Sequence, residues 1–170
     1  MLAGAGPAEG SVARAIAVSA LVTRSRSIVL GTPLAAYSEW AEIGDARRIV
    51  TITRVRVDEH VARDKPDASE VLVRTLGGRV GKLGQLVHGE AELRQGESCM
   101  LFLHDDDPGL ASVTAMAQGH YPLVADSRGK WLRRSPGLAK LVTTQDAAVE
   151  RLSGRTLDDA ARIVREAAKP

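Results

Sequence analysis

The chain has 170 residues, of which 44% are hydrophobic and 26% are charged. This composition is that of a folded protein with one core, and it excludes a disordered chain. Because 23 Lys and Arg residues are nearly balanced by 21 Asp and Glu residues, the net charge of +2 excludes a strong electrostatic attraction to nucleic acid.

Residues 1–10 are rich in Ala and Gly and predict a flexible lead. They lack the basic start and the continuous apolar stretch of a secretory signal, but their small residues resemble the segment that follows a cleavage site. An initiator Met placed on a truncated mature protein would have this appearance. The chain contains no apolar run of about 18 residues or more, so we expect no membrane span.

The first half of the chain predicts a helix followed by three strands. Ser11 is the expected N-cap of a helix that ends near Ser25. A strand over 27–37 follows, in which Gly31 and Pro33 favour a bulge or a bend. The next strand, 48–59, alternates clearly, but the parity of its apolar residues shifts at Thr53 and Arg54, which predicts a second bulge that coils the strand into a barrel. After a polar loop over 63–69, a third strand runs over 71–76.

Glycines punctuate residues 77–96, which predict turns and one short strand near 85–87. Residues 98–103 predict a buried strand. Residues 112–117 and 120–125 predict one further strand that is broken or kinked at Gln118 and Gly119. A turn over 126–129 would then bring residues 130–133 back as a hairpin partner.

The last part of the chain changes to a helical pattern. Thr156, with Asp159 three residues later, predicts the start of a helix whose apolar residues recur up to Ala168. A shorter helix over 145–152 ends before Gly154. We therefore expect a helix and β-barrel domain over 11–134, and over 135–170 a C-terminal helical hairpin that packs on the barrel or on a partner.

The cluster His104-Asp105-Asp106-Asp107 combines an imidazole with three carboxylates, which are ligands for zinc or for hard cations. Adjacent residues of a strand point to opposite sides, and Pro108-Gly109 follow at once, so the pattern favours a solvated turn. No metal site is assigned, and His104, Asp105 and Asp106 remain the candidates for one. A metal-dependent hydrolase that combines them with His88 or His120 stays open as an alternative.

The segment from Gly77 to Gly84 has many glycines but lacks the spacing of a phosphate-binding loop or of a dinucleotide fingerprint, so we expect no cofactor. It is interpreted as a turn-rich loop between strands that contacts a ligand or a partner. Gln118 and Gly119 are typical of a kink, with the alternative that the Gln118 amide pins this loop. The candidate binding residues are Gly77, Gly78, Arg79, Lys82, Gln118 and Gly119.

Other chemistry has less support in the sequence. The four histidines are dispersed, the G-x-S-x-G motif is absent, and we assign no catalytic residue. The single cysteine, Cys99, lies in the apolar run 99–103 and is expected to be a buried hydrophobic side chain. An oligonucleotide-binding barrel is a further alternative, because one strand carries several arginines, but the chain has only five aromatic rings to stack on bases. The arginines in question are Arg47, Arg48, Arg54 and Arg56.

A resemblance rests on short segments between Ser11 and Arg134. They are 28–32, 48–51, 72–78, 96–97 with 101–103, and Ala117-Gln118-Gly119. In these segments the chain resembles a group of uncharacterised bacterial exported β-barrel proteins, and it is distantly similar to the OB-type barrel of netrin-like and metalloproteinase-inhibitor modules, whose stapling cysteines it lacks. The resemblance implies a mainly β (α+β) fold with a small OB-like barrel, closed or partly open. It also implies a periplasmic or secreted location, with a cytoplasmic one left open.

We therefore expect a non-enzymatic binding or structural interaction module of the bacterial envelope. Its partner would be another protein, contacted through the Gly-rich loop and the terminal helices. The sequence leaves the identity of that partner and the oligomeric state open.

Overall fold

The computed structural model describes residues 12–66, 68–142 and 146–170, and its fold is mainly β. Three helices accompany the strands in these ranges: α1 (Val18–Arg24), α2 (Ala148–Leu152) and α3 (Leu157–Ala167), together with a 3₁₀ turn at Met116–Gly119. The strands are β1 (Val12–Arg14), β2 (Ser27–Ile43), β3 (Ala46–Arg63), β4 (Glu70–Leu76), β5 (Gly78–Val80), β6 (Leu83–Gln85), β7 (Cys99–Asp107), β8 (Leu110–Val113), β9 (His120–Asp126), β10 (Gly129–Leu132) and β11 (Lys140–Val142).

Seven of these strands form one sheet in the order β10-β9-β7-β2-β3-β4-β8. The pairing of β4 with β8 is parallel, and the other pairings in this sheet are antiparallel. A further pairing joins β8 to β7, so that part of the sheet is ringed. The long hairpin of β2 and β3 extends beyond the ringed part.

Two apolar layers lie on opposite sides of β2 and β7. The inner layer contains Val29 of β2 and Leu101 of β7, packed with side chains from β3, β4 and β8. The outer layer contains Ile28 of β2 and Phe102 of β7, packed with the apolar faces of all three helices. Because both faces of these two strands are buried, their sequences are continuous apolar runs rather than alternating ones.

The bulge predicted around Gly31 and Pro33 is confirmed, because the register of β2 with β3 shifts on both sides of this segment. The bulge predicted at Thr53 and Arg54 is wrong, because β3 pairs with β4 without a register shift from Val50 to Arg56. Opposite Arg54, the register shift lies in β2, where Leu34 is the residue left without a partner in β3. Ile52 and Thr53 are both buried. The parity shift in the sequence therefore reflects burial on both faces of β3.

The N-terminal helix is shorter than predicted. Ser11 lies outside the described residues, and Val12–Arg14 form a parallel strand pair with Lys140–Val142 before α1 begins at Val18. Backbone hydrogen bonds to a distant segment have here overridden a weak helical pattern. At the C-terminal end, the Thr156 N-cap of α3 is confirmed, since its hydroxyl accepts a hydrogen bond from the Asp159 N–H. The shorter helix begins at Ala148, and Gln145 lies outside the described residues.

Two predictions for the middle of the chain are corrected. The short strand near 85–87 is instead a hairpin of β5 and β6 that ends at Gln85. The one strand predicted over 112–125 is two strands, β8 and β9, and the alternative of a break at Gln118 and Gly119 is confirmed, since both residues belong to the 3₁₀ turn that separates the strands. This turn begins after Ala115, which has a positive φ, and it carries the chain from one stretch of β7 to another. The hairpin predicted over 126–133 is confirmed.

Among the described helices, none is long and apolar enough to cross a membrane.

We predict that Gly119→Ala destabilises the fold by about 1–3 kcal/mol, because a Cβ at this position would overlap the carbonyl oxygen of Thr114. Urea unfolding followed by circular dichroism measures the change. Gly84→Ala is the matched control, since a Cβ there lies 3.9 Å from its nearest neighbour. Equal stability of the two variants would contradict the prediction.

Candidate functional site

The Gly-rich loop identified in the sequence lies against the β2–β3 hairpin. Gly78 packs on the hydroxyls of Ser38 and Thr51, and its φ of +133° together with this close contact leaves no space for a side chain. The Thr51 hydroxyl donates a hydrogen bond to the Gly77 carbonyl at 2.8 Å, and the Arg79 N–H donates to the Ser38 hydroxyl at 3.3 Å. These hydrogen bonds hold the start of the β5–β6 hairpin against the β2–β3 hairpin.

The two cations of this loop point away from its anchored backbone. The Arg79 guanidinium donates a hydrogen bond to the Gly81 carbonyl of the same hairpin, and Lys82 is exposed at the turn. Both side chains are therefore free to meet solvent or a partner, whereas Gly77 and Gly78 have a structural role.

Gln118 and Gly119 lie at a different place from the loop. The Gln118 amide accepts a hydrogen bond from the Ile16 N–H at 2.9 Å and donates one to the Arg14 carbonyl at 3.0 Å. The interpretation that this amide pins the Gly-rich loop is therefore wrong, because it holds the N-terminal segment instead. Gly119 allows the tight return of the chain past Thr114.

A cleft of about 720 Å³ opens beside Gly77 and Gly78. Its walls combine the hydroxyl groups of Thr51, Thr53 and Thr75 with apolar side chains and with further polar or charged side chains, which are those of Gln85, His88, Glu90, Glu92 and Lys140. Thr53 and Thr75 are themselves buried. The apolar part of the lining comes from Leu76, Leu86, Val87, Leu93, Pro136 and Leu138. The cleft is assembled by three separate segments: the β3–β4 strands, the stretch 85–93, and the stretch 136–140.

Glu90 is the most unusual group in the cleft. One of its carboxylate oxygens accepts a hydrogen bond from the Leu76 N–H at 3.0 Å, and the other accepts one from the Ala91 N–H at 2.8 Å. Burial raises the pKa of this carboxyl, although the two hydrogen bonds oppose the rise. Within the described ranges no salt bridge reaches Glu90, so its charge is available to a cationic or hydrogen-donating ligand.

No sequence pattern predicts Glu90 or the three threonines as site residues. Glu90 stands in a Gly-rich stretch with no motif around it, and the threonines are alternating residues of strands. Their convergence depends on the pairing of β3 with β4 and on the return of the chain over 136–140. Only the glycine-rich composition of 77–89 indicated this region.

The acidic cluster at the end of β7 is neutralised by arginines. Arg74 donates hydrogen bonds of 2.9 Å to both Asp106 and Asp107, and Arg26 forms an ion pair with Asp105. Burial by itself would raise the pKa of Asp106, but hydrogen bonds from Ser112 and Arg74 outweigh it and lower that pKa. In the part of the chain that the structure describes, no group of three His, Cys, Asp or Glu residues is arranged to hold a metal ion.

The Nδ1 of His104, the remaining metal candidate, lies 3.4 Å from the Thr114 hydroxyl. A second cleft of about 750 Å³ lies along this ion-paired surface, between the Arg26 pair and the loop at Pro108. Because the carboxylates on its wall already have cationic partners, the surface has little remaining charge to offer a ligand.

The arginines considered for nucleic acid are largely paired within the protein. Arg54 forms a salt bridge with Glu70 at 3.3 Å, and Arg56 forms one with Asp58 at 2.6 Å. The Arg47 guanidinium lies 5.1 Å from the centre of the Trp40 ring, in a cation–π contact. These contacts explain the arginines of β3 without a nucleic-acid ligand.

Cys99 is buried, as predicted, and burial raises the pKa of its thiol to about 12. His120 is also buried, and its Nδ1 lies 2.8 Å from the buried hydroxyl of Ser135. Burial, followed by the positive charges of Arg133 and Arg94, lowers the pKa of His120 to about 4. The imidazole is therefore neutral at physiological pH, in a packed and solvent-excluded position.

We predict that the fold loses stability as the pH falls from about 6.5 towards 4, because over this range His120 binds a proton in the unfolded chain but not in the folded one. The contribution of His120 to the free energy of unfolding is fully present above pH 6.5, and its loss at lower pH amounts to roughly 3 kcal/mol at most. Urea unfolding of the wild type and of His120→Gln at several pH values measures it. A variant whose stability follows the same pH dependence as the wild type would contradict the prediction.

Comparison of the chain with protein-family models, with curated proteins and with solved structures finds no match.

Proposed function

We propose that this chain is a non-enzymatic binding module that holds a segment of another protein in the cleft beside Gly77 and Gly78. The observation that carries the proposal is the position of Leu86, which lines this cleft with 79% of its surface exposed. An exposed leucine at the edge of an apolar cleft is typical of a docking site.

The chemistry of the cleft suits a peptide segment. Its apolar walls accept an aliphatic or aromatic side chain, and burial of that side chain supplies most of the affinity. The hydrogen-bonding groups of the lining include the hydroxyls of Thr51 and Thr75 and the carboxylate of Glu90. A backbone N–H, or a Lys or Arg side chain of the partner, would meet Glu90 and compensate its buried charge.

We further propose that the ringed strands form an OB-type barrel, covered by α1 and by a helical hairpin of α2 and α3. The order β2-β3-β4-β8-β7, with a parallel pair between β4 and β8 and a return from β7 to β2, supports this proposal. In barrels of this type, ligands meet the face and the loops of the central strands, which is where the cleft lies. The expected location in the bacterial envelope stays a prediction.

The terminal helices are less suited to a partner than the cleft. Their apolar side chains, such as Leu21, Leu152 and Val164, belong to the outer buried layer. The metal-dependent hydrolase is not proposed, because Asp105, Asp106 and Asp107 are engaged in ion pairs with arginines. The oligonucleotide-binding barrel is not proposed either, because Arg54 and Arg56 are engaged in ion pairs and Arg47 in a cation–π contact.

We predict that Leu86→Asp weakens the binding of peptides at least about tenfold, because it puts a charge at the apolar edge of the cleft. The probes are peptides of twelve residues selected from a random phage-displayed library on the immobilised wild-type chain. Their affinities for the wild type and for the variant are then measured by fluorescence anisotropy.

Leu83→Asp is the matched control, since Leu83 is also exposed, lies three residues earlier, and is outside the cleft lining. Retained affinity in this control, with loss in Leu86→Asp, is the expected result. Failure to select any peptide, or equal affinity of both variants, would refute the proposed function.

A further inference from the structure

One edge of the sheet is left open on the β2–β3 hairpin. Residues Ser27–Gly31 of β2 pair with β3 on one side and with β7 on the other. From Ala35 to Ile43, β2 pairs with β3 alone, and within the described residues no backbone hydrogen bond reaches its other side. This open edge, residues 35–43, is about 30 Å long at the usual rise of an antiparallel strand.

The open edge lacks several of the features that normally prevent strands from associating, and its charged residues are Glu39 and Glu42. Lysine, proline and bulges are the usual protections of an exposed edge. Residues 35–43 contain neither Lys nor Pro, and their register with β3 continues without a shift up to Ile43. The side chains on this edge are largely exposed, with Tyr37 at 58% and Trp40 at 38%.

We propose that a second copy of this chain pairs with the open edge, so that two β2 strands run antiparallel across a two-fold axis and join two sheets into one. Most homo-oligomers are two-fold dimers in which the same patch meets itself. In such a pair, residues directly opposite one another must point to the same face of the sheet. The two-fold axis must therefore pass at a residue of β2 and not between two residues, and that residue lies opposite the same residue of the second copy.

The side chains favour an axis at Trp40. The two Trp40 rings then lie opposite each other, and Tyr37 lies opposite Ile43 of the second copy. Aromatic pairs and pairs of an aromatic with a β-branched residue are stabilising cross-strand neighbours. An axis at Glu39 would instead set two carboxylates face to face, which is unfavourable.

The charges on the edge are also compatible with self-pairing at Trp40. With this axis, Glu39 lies opposite Ala41 of the second copy, and Glu42 lies opposite Ser38. No carboxylate meets another directly, because the residues opposite Glu39 and Glu42 are uncharged. The Arg47 guanidinium already lies over Trp40 in each chain, so the interface contains cations as well as carboxylates.

Sedimentation velocity over about three decades of concentration, up to about 1 mM, tests the proposal. The expected result is a reversible shift from the 18.1 kDa chain to a species of twice that mass. Trp40→Lys places two like charges at the axis and should leave the protein monomeric. Val124→Lys is the matched control, because Val124 is a strand residue of similar exposure, 44%, and should leave the dimer intact.

Disulfide formation tests the register without depending on the stability of the Trp40 variant. Oxidation of a mixture of Glu39→Cys and Ala41→Cys chains should give a crosslinked pair, whereas either chain alone should not, because position 39 lies diagonal to its own copy and beyond disulfide reach. A wild type that stays monomeric at every concentration overturns the proposal. So does a dimer that persists in Trp40→Lys and gives no crosslink in the mixture.

Discussion

The burial of β2 and β7 on both faces is the constraint on which the rest of the fold depends. Val29 and Leu101 point into the inner layer, while Ile28 and Phe102 point into the helical layer. A strand covered on two sides must have its register fixed, since a slip by one residue would exchange the two layers. The other strands are therefore positioned relative to a central pair that cannot move without exposing apolar surface.

This central pair also explains where a binding cleft can form. Only the first part of β2 is covered by β7, so the β2–β3 hairpin continues past the packed layers and offers Ser38 and Thr51 as anchors for the Gly-rich loop. The cleft occupies the space between that hairpin, the stretch 85–93 and the stretch 136–140. Within the described residues, the same geometry leaves the outer edge of β2 from Ala35 to Ile43 without a paired strand. One extension of the hairpin therefore provides both surfaces that we assign to binding.

The acidic side chains at the end of β7 are held in ion pairs at the surface. Asp106 and Asp107 both form ion pairs with Arg74, whose side chain is only 13% exposed. This arrangement neutralises the acidic cluster that was the candidate metal site in the sequence. Glu90 is the contrasting case, because two backbone N–H groups, and no described cation, stabilise its carboxylate. A charge held in this way costs desolvation energy that a ligand could offset.

Features that depend only on neighbouring residues could be predicted from the sequence. The Thr156 cap, the turn over 126–129, the bend near Gly31, and the burial of Cys99 follow from capping geometry, turn chemistry and apolar runs, which act within a few neighbouring residues. Other features depend on contacts between segments that are distant in the chain. Val12–Arg14 became a strand because a partner strand lies 128 positions along, at Lys140. Glu90 lines the candidate cleft because its own stretch, 85–93, meets two distant segments, the β3–β4 strands and the stretch 136–140. Contacts of that kind depend on the positions of other elements, and no local pattern of residue types records them.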